Sequence, residues 1–195
     1  MQAVRWSAAV ALLLGLAGCG TMSAGDIAGQ PSTEVTITRE QGGRFLSVVG
    51  PHVPHDQPFL GVPNTNFFAL RSLIDTRTGE TTHQLYVEDS YFGAKRNWNA
   101  AAANGQPLKF VPISVNEITC EQNCSYAEEY AANIPDPVLR GSPQGLSVRF
   151  TAKSGTDKVI LIPGGLIQKQ LAAVDQARAT LPTASVVPPP QAPPR

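Results

Sequence analysis

Two closely spaced cysteines, Cys120 and Cys124, carry the most definite chemical signal in this chain of 195 residues. Five residues can close a disulfide when a turn brings the two Cα atoms within about 7 Å of each other. In the chain-entropy view, closing so short a loop stabilises a fold by roughly 2 kcal/mol. We therefore predict a structural disulfide between Cys120 and Cys124, at the link between two strands.

Two other chemistries fit this cysteine pair less well. A thioredoxin-like redox motif has two residues between its cysteines and lies in a βαβ unit, and neither feature is present. The Cys-x₃-Cys spacing resembles the copper-binding pair of Sco-type copper chaperones, which need a histidine after the cysteines to complete a copper site. Here His52, His55 and His83 all precede the pair, and Ser125 stands where that family has a proline.

A His-x-x-His motif, His52 and His55, lies in a proline-rich loop beside Asp56. A third ligand from elsewhere in the fold would make this motif a metal site. A proline-fixed loop does not place residues i and i+3 on one face as a helix does, so the favoured interpretation is an exposed loop. We predict no metal site and no cofactor.

The sequence contains none of the short catalytic templates: Gly-x-Ser-x-Gly, Ser-x-x-Lys, a Walker loop, Gly-x-Gly-x-x-Gly and His-Glu-x-x-His are all absent. A Ser-His-acid triad assembled from distant residues stays open, because its members are neighbours in space and not in sequence. We predict no catalytic residue and a protein that is not an enzyme.

Two further clusters of polar and aromatic residues have both a structural and a functional interpretation. Glu128 and Glu129 are adjacent, so on a strand they would point to opposite faces, which suits a solvated edge better than shared acid–base work. Aromatic residues gather in the segment 91–98, interleaved with Lys95 and Arg96. Such rings usually pack a core, and a sugar- or glycan-binding face is the alternative.

The first nineteen residues resemble the export signal of a bacterial lipoprotein. Residues 1–5 carry one positive charge and no acid, and residues 8–16 are apolar but too few to span a bilayer. Leu16, Ala17, Gly18 and Cys19 then resemble a lipobox. The resemblance implies that residues 1–18 are removed and that Cys19 receives a diacylglyceryl thioether, usually followed by acylation of its new amine. An ordinary secreted protein with a chance cysteine is the alternative.

The lipobox resemblance also implies a location. Two or three acyl chains, such as palmitate, hold a protein stably to a membrane, so the lipid bilayer becomes a partner through Cys19. Gly20 stands where these lipoproteins have an aspartate when they stay in the inner membrane, which implies the outer membrane, facing the periplasm. Without Arg5 the mature chain has 14 basic and 15 acidic residues, a net charge of −1. A near-neutral chain without a basic block is not expected to bind nucleic acid.

The composition divides the chain into four parts. Residues 1–18 are the predicted signal peptide, and residues 19–32, which are small and polar, form a predicted flexible, lipidated stalk. Residues 33–180 form the predicted β-rich periplasmic domain. Residues 181–195 contain six prolines and are predicted to be an unpacked, disordered tail.

Period-two alternation dominates the predicted domain and sets its fold class. The β-rich runs are residues 34–38, 44–49, 67–75, 82–90, 108–118, 146–153 and 159–162, with hairpin turns at 76–80 and 154–157. One helix follows, with Ile167, Leu171 and Val174 on one face. The fold class is therefore mainly β: an antiparallel sandwich or barrel-like sheet with one C-terminal amphipathic helix. That helix face either covers the sheet, as we favour, or docks a partner.

As a whole the layout resembles uncharacterised proteobacterial envelope lipoproteins of similar size. The resemblance rests on the lipobox, on Cys120 and Cys124 followed by residues 126–130, and on the last two strands leading into the helix. It implies a place in the envelope and no specific activity. We expect a binding or structural module whose partner is an envelope protein or a glycan. An envelope assembly factor or chaperone, and an envelope hydrolase, are the alternatives.

Overall fold

The computed structural model describes residues 34–40, 42–121 and 123–181. The predicted signal peptide 1–18, Cys19, the stalk up to residue 32 and the proline-rich tail after residue 181 lie outside the described residues. All strands and helices of the described residues lie between Thr36 and Ala179.

The described residues form ten strands and two α-helices. The strands are β1 Thr36–Arg39, β2 Phe45–Val49, β3 Val53–Pro54, β4 Phe67–Asp75, β5 Thr81–Phe92, β6 Trp98–Ala103, β7 Gln106–Thr119, β8 Ser125–Ile134, β9 Gly145–Ala152 and β10 Asp157–Pro163. The helices are α1 Asp136–Arg140 and α2 Gly164–Ala179, and a short 3₁₀ turn lies at Phe59–Gly61.

All ten strands belong to one antiparallel sheet that curves into a half-barrel. Its order is β1-β2-β4-β5-β8-β7-β6-β9-β10, and β3 pairs beside β4. The long strand β7 changes partner along its length, pairing first with β6 and then with β8. This confirms the mainly β, antiparallel prediction, with the barrel-like alternative in place of two packed sheets.

Alternating side chains give the sheet two different faces. On β4, Phe68 and Leu70 belong to the main apolar core, whereas Phe67, Ala69 and Arg71 line a cavity on the opposite side. Since successive strand residues point to opposite faces, this divides the sheet into an inner face, covered by α2, and an outer face.

An aromatic cluster fills the inner face. The Tyr130 ring centroid lies 4.9 Å from that of Phe150 and 5.3 Å from that of Trp98, and all three side chains are buried. Tilted and edge-on ring pairs at these separations add to the stability that burial itself provides.

Helix α2 closes the inner face and confirms the predicted C-terminal helix. Ile167 and Val174 are buried against the sheet, and Leu171 packs partly buried against the same core. These contacts favour the interpretation that this helix face covers the sheet over the alternative that it docks a partner. None of the helices in the described ranges is both long and apolar enough to span a membrane.

The cysteine pair lies where the sequence predicts it. Cys120 and Cys124 are at disulfide distance in the turn between β7 and β8, with their Cα atoms 3.9 Å apart. The turn therefore joins two strands that are paired neighbours in the sheet.

Candidate ligand-binding site

A cavity of about 560 Å³ lies on the outer face, between the loop that follows β2 and strands β4, β5, β7 and β8. We call it the outer cavity. Most of its walls are apolar and come from Val49, Val62, Pro63, Phe67, Ala69 and Ile113. The outer cavity therefore combines loop and sheet residues that are far apart in sequence.

The loop over the outer cavity is held by specific contacts. The His52 ring stacks on Phe67 with centroids 4.0 Å apart, and burial lowers the pKa of His52. The Thr65 hydroxyl donates to the Val62 carbonyl and accepts the Phe59 N–H, both at 2.7 Å. These bonds fix the loop as a wall of the cavity.

Asn66 ties the same loop to strand β5. Its backbone has φ of 55°, a left-handed conformation that asparagine tolerates better than most residues. Its side chain donates to the Gln57 carbonyl at 2.9 Å and accepts the Ser90 N–H at 2.8 Å. The Asn66 N–H and the Ser90 hydroxyl both donate to the Glu88 carboxylate.

Arg71 supplies the cation of the outer cavity. Its Nε–H donates to Gln84 Oε1 at 2.6 Å, and its guanidinium lies 5.2 Å from the Tyr86 ring centroid. Burial lowers the pKa of Arg71. Arg71 thus presents a partly desolvated guanidinium, oriented by its neighbours, at the cavity floor.

Two carboxylates complete the polar floor of the outer cavity. Glu88 is buried, and burial raises its pKa although it accepts two hydrogen bonds. Glu129 lies beside Tyr86; burial, followed by the negative charge of Glu129, raises the pKa of the Tyr86 hydroxyl. The neutral form of Tyr86 is therefore stabilised, and it can donate a hydrogen bond to a carboxylate.

A buried charge cluster lies on the inner face, at the opposite side of the sheet from the outer cavity. The Asp89 carboxylate accepts from Arg96 at 2.7 Å, from the Trp98 indole at 3.0 Å and from Lys158. Burial raises the pKa of Asp89, but Lys158 and Arg96 outweigh it, and the net shift is downward. Lys158 belongs to the edge strand β10, so this contact crosses the interior of the half-barrel.

Glu128 and Glu129 point to opposite faces, as predicted, but they do not lie on a solvated edge. Strand β8 is central, and Glu128 is only 2% exposed. Its carboxylate accepts from the Tyr91 hydroxyl and from the backbone N–H groups of Asn97 and Trp98, at 3.0 and 3.2 Å. The acid is buried because it satisfies donors at the start of β6.

The aromatic segment 91–98 does not form an exposed glycan-binding face. The rings of Tyr91 and Trp98 are 6% and 5% exposed, and the Arg96 guanidinium stacks 3.8 Å from the Tyr91 ring centroid. These aromatics pack the interior, as the structural interpretation predicts, and only Phe92 is exposed.

One of the three histidines does meet a serine and an acid. Ser72 Oγ lies 2.8 Å from His83 Nδ1, and His83 Nε2 lies 2.9 Å from Asp136 Oδ1. Gln170 Nε2 donates to Ser72 Oγ at 2.9 Å, so the Ser72 hydroxyl donates to Nδ1, and Nε2–H donates to the carboxylate. His83 also lowers the pKa of Asp136.

This serine–histidine–aspartate contact joins elements of the fold. Ser72 is 0% exposed and His83 is 1% exposed. Arg140 extends the chain, binding Asp136 at 3.0 Å and Asp175 of α2 at 2.7 Å. A nucleophile must be reachable by its substrate, and Ser72 is not. The hydrogen bonds instead link β4, β5, α1 and α2.

The two loop histidines do not converge on a metal. His52 stacks on Phe67 at the outer cavity, whereas His55 Nε2–H donates to the Glu88 carbonyl at 2.8 Å and its Nδ1 faces Lys158 at 3.2 Å. No cluster of three metal-ligating side chains exists in the ranges the structure describes.

Sequence reasoning did not find Arg71, Tyr86, Glu88 or Glu129 as a group. One signal was present: Arg71 and the adjacent acids Glu88 and Asp89 interrupt otherwise β-rich runs. No family model, no curated protein and no solved structure matches this chain. Function is therefore argued from the geometry of the outer cavity.

Proposed function

We propose that this protein is a lipid-anchored, ligand-binding module of the bacterial envelope, with the outer cavity as its binding site. The observation that carries the proposal is the outer cavity itself, about 560 Å³ in volume, with apolar walls and a few charged groups on its floor. Small-molecule sites are typically clefts of about 300–1,000 Å³ with this kind of lining.

The envelope part of the proposal rests on the sequence. The lipobox resemblance of residues 16–19 makes Cys19 the anchor, and Gly20 favours the outer membrane, with the domain in the periplasm. The close approach of Cys120 and Cys124 supports an oxidising compartment, because disulfides persist there and are rare in the cytosol.

The geometry favours binding over the two alternative functions. Hydrolysis by Ser72 would need an accessible hydroxyl, and Ser72 lies under helix α2 with its oxygen hydrogen-bonded to Gln170. An assembly factor would use a surface for another protein, and the Ile167–Leu171–Val174 face is covered by the sheet. The outer cavity is open and has no such occupant among the described residues.

Site-specific photocrosslinking in native membranes tests the binding proposal. Benzoylphenylalanine would replace Val62, which lines the outer cavity and is 51% exposed, and in a matched control it would replace Val159, which is 46% exposed on β10. We expect a small-molecule adduct at position 62 and none at position 159. A protein-sized adduct at position 62 would favour the assembly factor, and equal labelling at both positions, or none, would overturn the proposal.

A separate experiment tests the anchor. The Cys19→Ser variant should leave the membrane fraction and lose the mass of the acyl chains, because the thioether cannot form. If Cys19→Ser stayed with the membranes as firmly as the natural chain, the lipid anchor would be refuted while the cavity proposal would stand.

A further inference from the structure

The outer cavity holds a cation and an anion that do not pair with each other. Arg71 and Glu129 both line it, and each feels the charge of the other. Within the described residues neither has an ion-pair partner closer than 4 Å, although the charges of Glu129 and Glu40 both act on Arg71. Desolvating a charge is costly unless it is paired, so a ligand that paired both groups would recover that cost.

Arg71 presents a free hydrogen-bonding edge to the cavity. Only Nε is used within the described part of the chain, by Gln84 at 2.6 Å, and stacking over Tyr86 fixes the plane of the guanidinium. The hydrogen bond of the Arg71 side chain to the described residues uses Nε, which leaves the two terminal nitrogens to face a ligand. A guanidinium held this way matches the two oxygens of a carboxylate or phosphate.

The carboxylates of the cavity are not equivalent. Glu88 already accepts hydrogen bonds from the Asn66 N–H and the Ser90 hydroxyl. Among the described residues Glu129 accepts from the neighbouring Tyr86 hydroxyl, and it retains acceptor capacity for a cation. With one guanidinium and two carboxylates, the lining offers no excess positive charge to an anionic ligand that lacks a compensating cation.

We propose that the outer cavity binds a small zwitterionic amphiphile, whose anionic group pairs with Arg71 and whose ammonium group pairs with Glu129. The apolar body of the ligand would lie against Val62, Phe67 and Ile113, which form apolar walls of the same cavity. This inference rests on the proposed function and specifies its ligand. Two sources share the chemistry: an apolar amino acid or short peptide, and a phospholipid with an ethanolamine head group.

Titration calorimetry on the acylated, full-length protein in nanodiscs of phosphatidylglycerol tests the proposal, since those nanodiscs contain no zwitterionic lipid. The zwitterionic probes are leucyl-leucine and monomeric dihexanoyl-phosphatidylethanolamine, which distinguish the two sources. Hexylamine and hexanoate each carry one charge, and N-acetyl-leucinamide carries none.

Four variants complete the design. Arg71→Met and Glu129→Gln each remove one charge from the cavity, whereas Arg77→Met and Glu80→Gln remove the same charges from exposed positions in the β4–β5 turn. The loss of one charge-assisted contact should lower the affinity for each zwitterionic probe by about tenfold or more. Arg71→Met should not weaken the binding of hexylamine, and Glu129→Gln should not weaken the binding of hexanoate. Retained binding of these single-charge probes would also show that each variant is folded. The exposed controls should bind as the natural chain does.

Two results would overturn this ligand class. One is binding of N-acetyl-leucinamide as tight as that of either zwitterion, and the other is unchanged zwitterion affinity in both Arg71→Met and Glu129→Gln. If none of these probes binds while position 62 still crosslinks a small molecule, the zwitterion is refuted and the proposed function stands. If position 62 crosslinks nothing, both fail.

Discussion

Replacing Gly164 by alanine should destabilise the protein, whereas the same change at the adjacent Gly165 should stabilise it. A Cβ built on Gly164 would lie 2.2 Å from the Pro143 carbonyl oxygen and 2.9 Å from the Gln144 carbonyl carbon. Ordinary contacts of a Cβ begin at 3.4 Å. Both obstacles are backbone atoms of the turn before β9, so no flexible side chain can move aside. A Cβ on Gly165 would meet nothing within 4 Å.

The size of each effect follows from this geometry. Overpacking costs typically about 1–3 kcal/mol, and we expect the upper end at Gly164 because the start of α2 must shift by roughly 1 Å. At Gly165, alanine should gain about 0.5–1 kcal/mol from its helix propensity and from the smaller entropy of the unfolded chain. For a domain of this size, 1 kcal/mol corresponds to about 2–4 °C in Tm.

Calorimetry and urea unfolding of the two variants provide the measurement. Gly164→Ala should lower Tm by about 6–12 °C and Gly165→Ala should raise it by about 1–4 °C. A loss below about 1 kcal/mol at Gly164, or changes of the same sign and size at both positions, would refute the close approach of α2 to this turn.

Three further changes test other parts of the fold. Asp89→Asn should lower the free energy of unfolding in urea by about 3–5 kcal/mol, because it leaves the partly buried Arg96 and Lys158 without their shared carboxylate. The exposed Asp157→Asn should have a much smaller effect. Because the folded pKa of Asp89 is lowered, its contribution should be full above about pH 4 and should fade as the pH falls through that folded value. Gln170→Ala should cost about 2–4 kcal/mol, since it leaves two buried acceptors unsatisfied, whereas Gln168→Ala, at an exposed position, should be nearly neutral. Cys124→Ser should cost about 2 kcal/mol under oxidising conditions and nothing under reducing ones, by the loop-entropy argument; equal costs under both conditions would contradict a disulfide.

The sequence predicts the strands whose two faces differ in polarity. Strand β4 has the predicted bounds, and β5, β9 and β10 are close to prediction, because each is a β-rich run bounded by polar turn residues. Strand β9 also alternates apolar and polar side chains along its length. The helical spacing of Ile167, Leu171 and Val174 predicts helix α2. It extends to Ala179, beyond the predicted stretch, because Val174 and Ala177 belong to the second apolar cluster with Leu46 and Ile74.

Strands β6 and β8 were not predicted, for physical reasons visible in their contacts. Strand β6 is mostly alanine, a residue with low strand propensity, and it is held by its partners β7 and β9. Strand β8 contains Glu128 on its inner face, which breaks the apolar alternation. That acid is tolerated because donors from Tyr91, Asn97 and Trp98 surround it, and a single sequence does not reveal such pairing.

The outer cavity could not be predicted, because it depends on which strands become neighbours. Glu129 and Tyr86 come from β8 and β5, and Ile113 comes from β7. Their approach follows from the register in which β5 pairs with β8 and β8 with β7, including an irregularity next to Pro112. Alternation assigns each residue to a face but gives no strand order.

Helix α2 follows all ten strands in the described part of the chain, and this order determines when the inner face can be shielded from water. Translation completes β4 and β5 long before it reaches Leu166 and Ile167, which share one apolar cluster with Leu70 and Leu85. Asp89 is likewise made before Lys158, which lies 69 residues later in the sequence and pairs with its carboxylate. A partly synthesised chain therefore exposes the apolar inner face of the sheet to water, and exposed apolar surfaces of this kind are prone to aggregation. In the described residues this surface becomes buried only once α2 has been made.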